Sequence, residues 1–266
     1  MPDTPHYEIH AIRYARHDRR ASENFLGGDP HDGPMSIDYY VWTVSGGGRT
    51  FVVDTGFGAA QARQRGRELL RSPADGLKGL GIDPARVEDV IITHMHYDHA
   101  GNLDLFPNAT FHIQDREMQF VTGRCMCHET IRGGFEADDV VGMVRRLFAG
   151  RVRFHDGAEE IAPGLWLHFI GGHTMGLQSL RVRTRRGWVV LASDAAHLYA
   201  HLEQGRAFPI VYNVAEMLEG HRTLQKLASS PRHIVPGHDP LVMKIYPASK
   251  PALENVAVRL DADPIA

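Results

Sequence analysis

The sequence predicts an α/β protein that forms one domain over residues 1–266. Short segments rich in apolar and β-branched residues recur along the chain, with segments of helical periodicity between them. Several of the predicted strands end directly in a histidine or an aspartate. At 266 residues and 43% hydrophobic content, the chain can bury a full core. These observations together favour one sheet-based unit with polar groups gathered along an edge.

The first half of the chain predicts a β-rich start followed by helices and strands in turn. Alternating or β-branched patterns predict strands at 7–14, 37–43, 50–53, 87–93 and 109–113. Helical spacing predicts helices at 61–71 and 115–121, and Gly81–Pro84 predicts a break between them. The loop at about 19–34 is rich in Gly, Pro and Asp. It is long enough to cover a site rather than only connect strands.

The second half adds further strands, a hairpin and two more loops that we expect to cover the site. Strands are predicted at 152–155, 165–170, 180–184, 188–192 and 233–235, and helices at 140–148 and 213–229. Asn213 followed by Glu216 is typical of a capping box at the start of the last helix. The irregular segment 122–139 and the segment 198–212 are the other two expected walls of the pocket.

The composition of the chain limits which kinds of partner and which cellular compartment we expect for the protein. The formal net charge of -3 and the pI of about 6.6 provide no overall basic field, so we expect no nucleic-acid substrate. No apolar leader and no segment of 18 uncharged apolar residues is visible, which predicts no membrane association. The two cysteines, Cys125 and Cys127, lie too close together to staple a fold. We therefore expect a reducing, cytoplasmic location.

The highest concentration of potential metal ligands directly follows the predicted strand at 87–93. His94, His96, Asp98 and His99 fall within six residues, a spacing that no packing requirement explains. His94 and His96 point the same way in an extended turn and suit one metal ion, whereas Asp98 and His99 follow the turn and suit a second. Imidazoles with a few carboxylates favour zinc, with iron, manganese or cobalt as alternatives.

Other predicted strands end in residues that could complete such a site. These residues are Asp54, His173, Asp194 and His238. Two dications held close together need a bridging carboxylate, and Asp194 is the candidate. Asp54 fits a role in orienting an imidazole but equally fits a turn cap. Ligands that follow successive strands can converge on one edge of a sheet, which predicts a two-metal hydrolase site.

These residues resemble the metallo-β-lactamase superfamily, from Asp54-Thr55-Gly56 to Gly237-His238, and most closely its N-acyl-homoserine-lactone lactonase group. The resemblance implies an αβ/βα sandwich of two mixed sheets flanked by helices, with a dinuclear site at one edge. It also implies a ligand set for two divalent ions. His94, His96 and His173 would hold the first ion, Asp98, His99 and His238 the second, and Asp194 both.

The chain departs from this group at two points. Around the third histidine the group often has Gly-His-Thr-Pro-Gly-His, whereas this chain has Gly172-His173-Thr174-Met175-Gly176-Leu177. Lactonases of this kind also place a tyrosine three residues after the bridging aspartate, and that position is His197 here. Either His197 or the nearby Tyr199 would take over the contact with the substrate, while Asp98 or Asp194 would move the proton.

The expected reaction is the opening of a lactone, or the cleavage of an ester of a small organic molecule, by a metal-bridging hydroxide. One alternative is a thioester hydrolase of the glyoxalase II type, although the sequence shows no basic patch for glutathione near the ligands. Another is a non-catalytic metal-binding module. A nuclease would need an added domain or a basic arm. The sequence does not decide whether the protein forms a homodimer.

Overall fold

A computed structural model describes residues 4–265 and arranges them as two mixed β-sheets packed face to face. The first sheet has eight strands: β1 (Glu8–His17), β2 (Ile37–Gly46), β3 (Arg49–Val53), β4 (Glu68–Leu69), β5 (Asp89–Ile91), β6 (Thr110–Gln114), β7 (Val152–His155) and β13 (Ala257–Arg259). The second has five: β8 (Ala158–Ala162), β9 (Leu165–Phe169), β10 (Gln178–Thr184), β11 (Gly187–Ser193) and β12 (Ile234–Pro236).

Helices pack on the outer faces of the two sheets or lie along their edges. They are α1 (Ala21–Asn24), α2 (Ala59–Arg65), α3 (Pro73–Leu80), α4 (Tyr97–Ala100), α5 (Asp115–Val121), α6 (Glu129–Arg132), α7 (Ala137–Phe148), α8 (Tyr199–Gln204), α9 (Val214–Leu227) and α10 (Val242–Ile245). This arrangement confirms the predicted αβ/βα sandwich. Within residues 4–265, no helix combines the length and the apolar character needed to cross a membrane.

The directions of the strands decide which strand ends lie next to one another. The first sheet runs in the order β13-β1-β2-β3-β5-β6-β7, and its β3-β5-β6-β7 half is parallel. The second sheet is antiparallel except for the β11–β12 pair. The carboxyl ends of β3 and β5 therefore lie side by side in one sheet, and those of β11 and β12 in the other. Each of these four strand ends is followed by a predicted metal ligand or by a residue that orients one.

The main core lies between the two sheets. Buried side chains of the first sheet, such as Trp42 and Phe51, share one apolar cluster with Leu180 and Leu191 of the second. A second cluster packs helices onto the outer face of the first sheet, and a third packs Leu224 of α9 onto β11. Strand β2 is buried over its first eight residues because both of its faces are covered.

The predicted helix over 61–71 is too long. Helix α2 ends at Arg65 because Gly66 adopts a left-handed conformation, with φ of 64°, and its N–H caps the carbonyls of Ala62 and Arg63. The chain then pairs with β1 as β4. Strands β8 and β13 were not predicted, since the charged sequence of β8 and the short length of β13 hide both strand patterns. The segment expected to be irregular also contains α6 and the start of α7.

Asp139, in the first turn of α7, predicts a measurable pH dependence of stability. Burial, and after it Glu136 and Asp138, raise its pKa from 3.8 to about 7. Because the folded-state pKa is the higher one, the folded state loses stability as pH rises from about 4 to about 7. We expect Asp139→Asn to raise the free energy of unfolding at pH 8 by at most about 4 kcal/mol. The gain should vanish near pH 4.

Urea denaturation at pH 4, 6 and 8 measures this effect. Asp138→Asn is the matched control, because Asp138 is exposed on the same helix turn. An equal gain at all three pH values would contradict the assignment.

Candidate metal centre

The loop after β5 carries the first four candidate ligands. Asp54, at the end of β3, holds this loop: its Oδ1 accepts the N–H of Thr93 at 2.8 Å, and its Oδ2 accepts the Thr93 hydroxyl at 2.8 Å. The same Oδ2 lies 2.7 Å from His99 Nδ1. Asp54 is fully buried and has a left-handed φ of 61°. It therefore orients both the loop and an imidazole, rather than only capping a turn.

The second sheet supplies the remaining candidates from three different strand ends. His173 follows β9, Asp194 follows β11, and His238 follows β12; all three are buried. Ser193, just before Asp194, has a left-handed φ of 48°, and its hydroxyl donates to Thr93 Oγ1 at 2.8 Å. This contact joins the edges of the two sheets at the site.

The two carboxylate oxygens of Asp194 face two different groups of side chains. Oδ2 lies 3.2 Å from His173 Nε2 and 3.8 Å from His94 Nε2. His96 completes this first group, with its Nδ1 2.9 Å from His173 Nε2. Oδ1 lies 3.1 Å from His99 Nε2 and 3.0 Å from His238 Nε2, in the second group.

Asp98 belongs to the second group. Its Oδ2 is 3.6 Å from His99 Nε2 and 3.8 Å from His238 Nε2. The structure therefore brings all seven predicted ligands together in two sets that share Asp194. Donor atoms within each set converge closely enough to hold one ion.

The chemistry of these donors fits divalent metal ions. Nδ1 of His173 lies 2.7 Å from the Ile210 carbonyl, and Nδ1 of His238 lies 2.9 Å from the Asp38 carbonyl. A carbonyl can only accept, so each Nδ1 carries the proton and each Nε2 directs a lone pair into the cluster. Nε2 of His99 is buried and, although it lies 3.1 Å from Asp194 Oδ1, it makes no well-aligned hydrogen bond with any described residue. Burial lowers the pKa of His94 and His96, which favours the neutral form that ligands require.

Glu117 of α5 supports the cluster and was not predicted from sequence. Its carboxylate is fully buried and accepts three hydrogen bonds: from Met95 N at 2.8 Å, from Thr174 Oγ1 at 2.7 Å and from Gly176 N at 3.0 Å. It thereby links the loop of His94 and His96 to the loop of His173. In sequence, Glu117 looks like an ordinary charged residue in the first turn of a helix.

His197 lies against the cluster, at the position where a tyrosine was expected by resemblance. Its Nε2 is 3.0 Å from Asp194 Oδ2, its Nδ1 is buried without a partner among the described residues, and its ring stacks on Phe208 at 3.6 Å. Burial, opposed by Asp194, lowers its pKa. Tyr199, by contrast, does not line the cavity formed by the described residues. It packs beside Tyr246, and burial raises the pKa of its phenol.

A cavity of about 150 Å³ opens onto the cluster. Its floor includes His96, Asp98, Asp194, His197 and His238. Each of the three predicted covering segments contributes to its walls. Segment 19–34 contributes Arg19, segment 122–139 contributes Thr130 and Gly133, and segment 198–212 contributes Phe208 and Ile210. Tyr39, Tyr97, Arg65 and Arg67 also line it and were not predicted. The expectation that no basic patch lies near the ligands is therefore wrong, because Arg19 meets Arg65 and Arg67 at this cavity.

A second cavity of about 150 Å³ adjoins the first and is apolar. The two cavities share His96, Thr130, His173 and Ile210. The apolar walls of the second are Phe120, Ile131, Phe135, Pro209, Val211 and Tyr212. The site thus offers a polar floor beside a small apolar chamber, as is common in pockets for small molecules.

Residues 33–238 match the family model of the metallo-beta-lactamase superfamily. The chain belongs to this superfamily, as the residues around the cluster predict. Its relatives include the N-acyl homoserine lactonase AttM of Rhizobium johnstonii, 32% identical over 186 residues that cover 65% of each chain. The N-acyl homoserine lactonase AiiA of Bacillus thuringiensis subsp. kurstaki is 27% identical over 128 residues, which cover 48% of this chain and 46% of that one.

The chain spans about 65% of the length of the first of these curated relatives. Among solved structures, a quorum-quenching N-acyl homoserine lactone lactonase superposes with a TM-score of 0.73 at 21% identity, over 90% of this chain and 95% of that one. At this identity the likeness shows the fold. The relatives confirm the resemblance to the lactonase group within the superfamily.

Proposed function

We propose that the protein is a metal-dependent hydrolase that opens a lactone, or cleaves an ester, of a small organic molecule. The observation that carries the proposal is the placement of Asp194, whose two oxygens face separate sets of buried donors at the base of a cavity. A closed structural site would not need a cavity above it. This cavity disfavours the non-catalytic metal-binding module.

His94, His96 and His173 would hold one divalent ion, Asp98, His99 and His238 the other, and Asp194 both. When bound, such ions supply Lewis acidity and a deprotonated water near neutral pH. Asp98 lines the cavity, so its carboxylate is placed to take a proton from the attacking water. Glu117 and Asp54 keep the imidazoles oriented. We infer zinc from the imidazole-rich donor set.

The shape of the site supports a lactone or ester over a thioester. The apolar chamber beside the cluster suits the hydrocarbon part of a small substrate. The named relatives are N-acyl homoserine lactonases, and this favours lactone chemistry over the glyoxalase II type. The two cysteines and the net charge of -3 support a cytoplasmic enzyme that does not act on nucleic acid.

Metal analysis coupled to a pH-stat screen tests the proposal. The zinc-loaded protein is offered N-acyl homoserine lactones, simple γ-lactones, aryl and alkyl esters, and thioesters. We expect two ions per chain and turnover of lactones or esters. Full activity in metal-free protein, or two bound ions without hydrolysis of any of these substrates, would each refute it.

His197 predicts a separate effect on turnover. We propose that its Nε2–H, which lies 3.0 Å from Asp194 Oδ2, also donates a hydrogen bond to the reacting oxygen, in place of a tyrosine. His197→Phe keeps a ring stacked on Phe208 but removes both nitrogens, and we expect kcat to fall by about 100-fold. His197→Tyr should recover part of this loss, because a phenol again offers an O–H. Both variants should keep their metal. Loss of an ion from His197→Phe would instead make His197 a ligand.

A further inference from the structure

The cationic wall of the cavity is not neutralised by the protein. Arg65 is paired, since its Nη2 lies 2.6 Å from Glu136 Oε1. Arg19 and Arg67 line the same cavity, and no carboxylate oxygen of residues 4–265 lies within 4.0 Å of either guanidinium. Both side chains are half-buried. Two unpaired guanidiniums therefore face one small, partly enclosed space.

Each guanidinium is held by the protein at only some of its nitrogens. Nε of Arg19 is buried and has no hydrogen-bond partner in the described part of the chain. Arg19 is held by a hydrogen bond from its Nη2 to the Glu23 carbonyl and by a cation–π contact with Phe208. Arg67 is held through Nε, which donates to the Tyr97 hydroxyl at 3.1 Å, and through Nη1, which donates to the Arg65 carbonyl at 2.6 Å. Both side chains are thus fixed in place before a ligand binds.

No neighbouring carboxylate forms an ion pair with Arg19 or Arg67, and Glu23 and Asp98 act on them only from a distance. Burial, and after it Arg67 and Arg19, lower the pKa of His17 to about 4. His17 is therefore neutral at pH 7 and adds no charge of either sign. Asp98 also lines the cavity, but it faces His99 and His238 as part of the ligand set. Placing two like charges together without a counter-ion costs stability, and an anionic ligand would offset that cost.

We propose that Arg19 and Arg67 form a carboxylate-binding subsite, so that the substrate is a small lactone or ester bearing a free carboxylate. This inference rests on the proposed hydrolase function. A guanidinium matches a carboxylate in geometry and charge, and such charge-assisted bonds are among the stronger ones in proteins. In this arrangement the carboxylate meets the arginines, the reacting carbonyl lies over Asp194 and His197, and the hydrocarbon part extends toward the apolar chamber.

A matched pair of substrates tests the subsite. The γ-lactone 5-oxotetrahydrofuran-2-carboxylate is compared with γ-valerolactone, which has a methyl group where the first has its carboxylate. The proteins are wild type, Arg19→Gln, Arg67→Gln and the control Arg63→Gln, since Arg63 is exposed on α2. We expect Arg19→Gln and Arg67→Gln each to lower kcat/KM for the carboxylated lactone by roughly 10- to 100-fold. Their losses on γ-valerolactone should be at least about fivefold smaller, and Arg63→Gln should stay within about twofold of wild type on both substrates. Equal losses on both lactones, or no loss, would overturn the subsite.

A binding measurement separates failure of the subsite from failure of the hydrolase proposal. Tetrahydrofuran-2-carboxylate cannot be opened, and its affinity for the zinc-loaded proteins is measured by calorimetry alongside their zinc content. We expect weaker binding to Arg19→Gln and Arg67→Gln than to wild type and Arg63→Gln at equal zinc content. If no lactone or ester is hydrolysed, this titration still decides the subsite. If lactones are hydrolysed but all four proteins bind the ligand equally, the subsite is refuted and the hydrolase stands.

Discussion

Asp194→Ala should abolish both metal binding and hydrolysis. Asp194 is the one side chain whose two oxygens serve both donor sets, and its carboxylate lies within 3.2 Å of Nε2 atoms in each. Loss of a residue that only supports a ligand typically costs about 10- to 100-fold, so removal of the shared ligand should leave less than about 1% of activity. Five imidazoles lie within 4.0 Å of this carboxylate and would also lose their contact with it.

The measurements are hydrolysis rate and bound metal for the purified variant. Asp156→Ala is the control, because Asp156 is exposed and lies outside both donor sets. Retention of two ions and of wild-type turnover in Asp194→Ala would contradict the shared role. Loss of activity in Asp156→Ala as well would point to a general folding defect.

Gly176→Ala should destabilise the fold and disturb the His173 loop together. A Cβ at position 176 would lie 2.0 Å from Glu117 N and 2.4 Å from Glu117 Cα, in the backbone of α5. That backbone cannot move away without also moving the Glu117 carboxylate, which holds the two ligand loops. We expect a loss of about 3 kcal/mol or more in the free energy of unfolding. Zinc affinity should fall in parallel.

Denaturant unfolding and zinc titration measure the two effects. Gly33→Ala is the matched control, since the nearest atom to its added Cβ is 3.9 Å away and its φ is not left-handed. If Gly176→Ala unfolds like wild type, the packing of this loop onto α5 is not as tight as the distances indicate.

The ligands could be predicted from sequence because each of them follows a strand or its turn. His94, Asp194 and His238 stand directly after apolar runs, and strand ends converge whatever the loops do. The overall sandwich came with the resemblance that these residues carry. Helix 61–71 was overextended because periodicity does not reveal that Gly66 turns left-handed.

The residues that form the wall of the cavity could not be predicted from the sequence, for a different reason. Tyr39 lies in β2 and Tyr97 in α4, whereas Arg19 and Arg67 lie in connecting segments, and nothing in their local sequence marks them as neighbours. Glu117 likewise shows its role only when α5 packs under two loops. Such residues are brought together by lateral packing, which depends on the whole fold rather than on any short pattern.

Each donor set draws on both sheets. His94 and His96 follow β5 of the first sheet, whereas their partner His173 follows β9 of the second; Asp98 and His99 are likewise joined by His238. The donors therefore converge only after the two halves of the sandwich dock. Cobalt(II) substituted for zinc would give a visible absorption band that reports on this docking during refolding. The band should appear only when both halves have docked, and not on formation of either sheet alone.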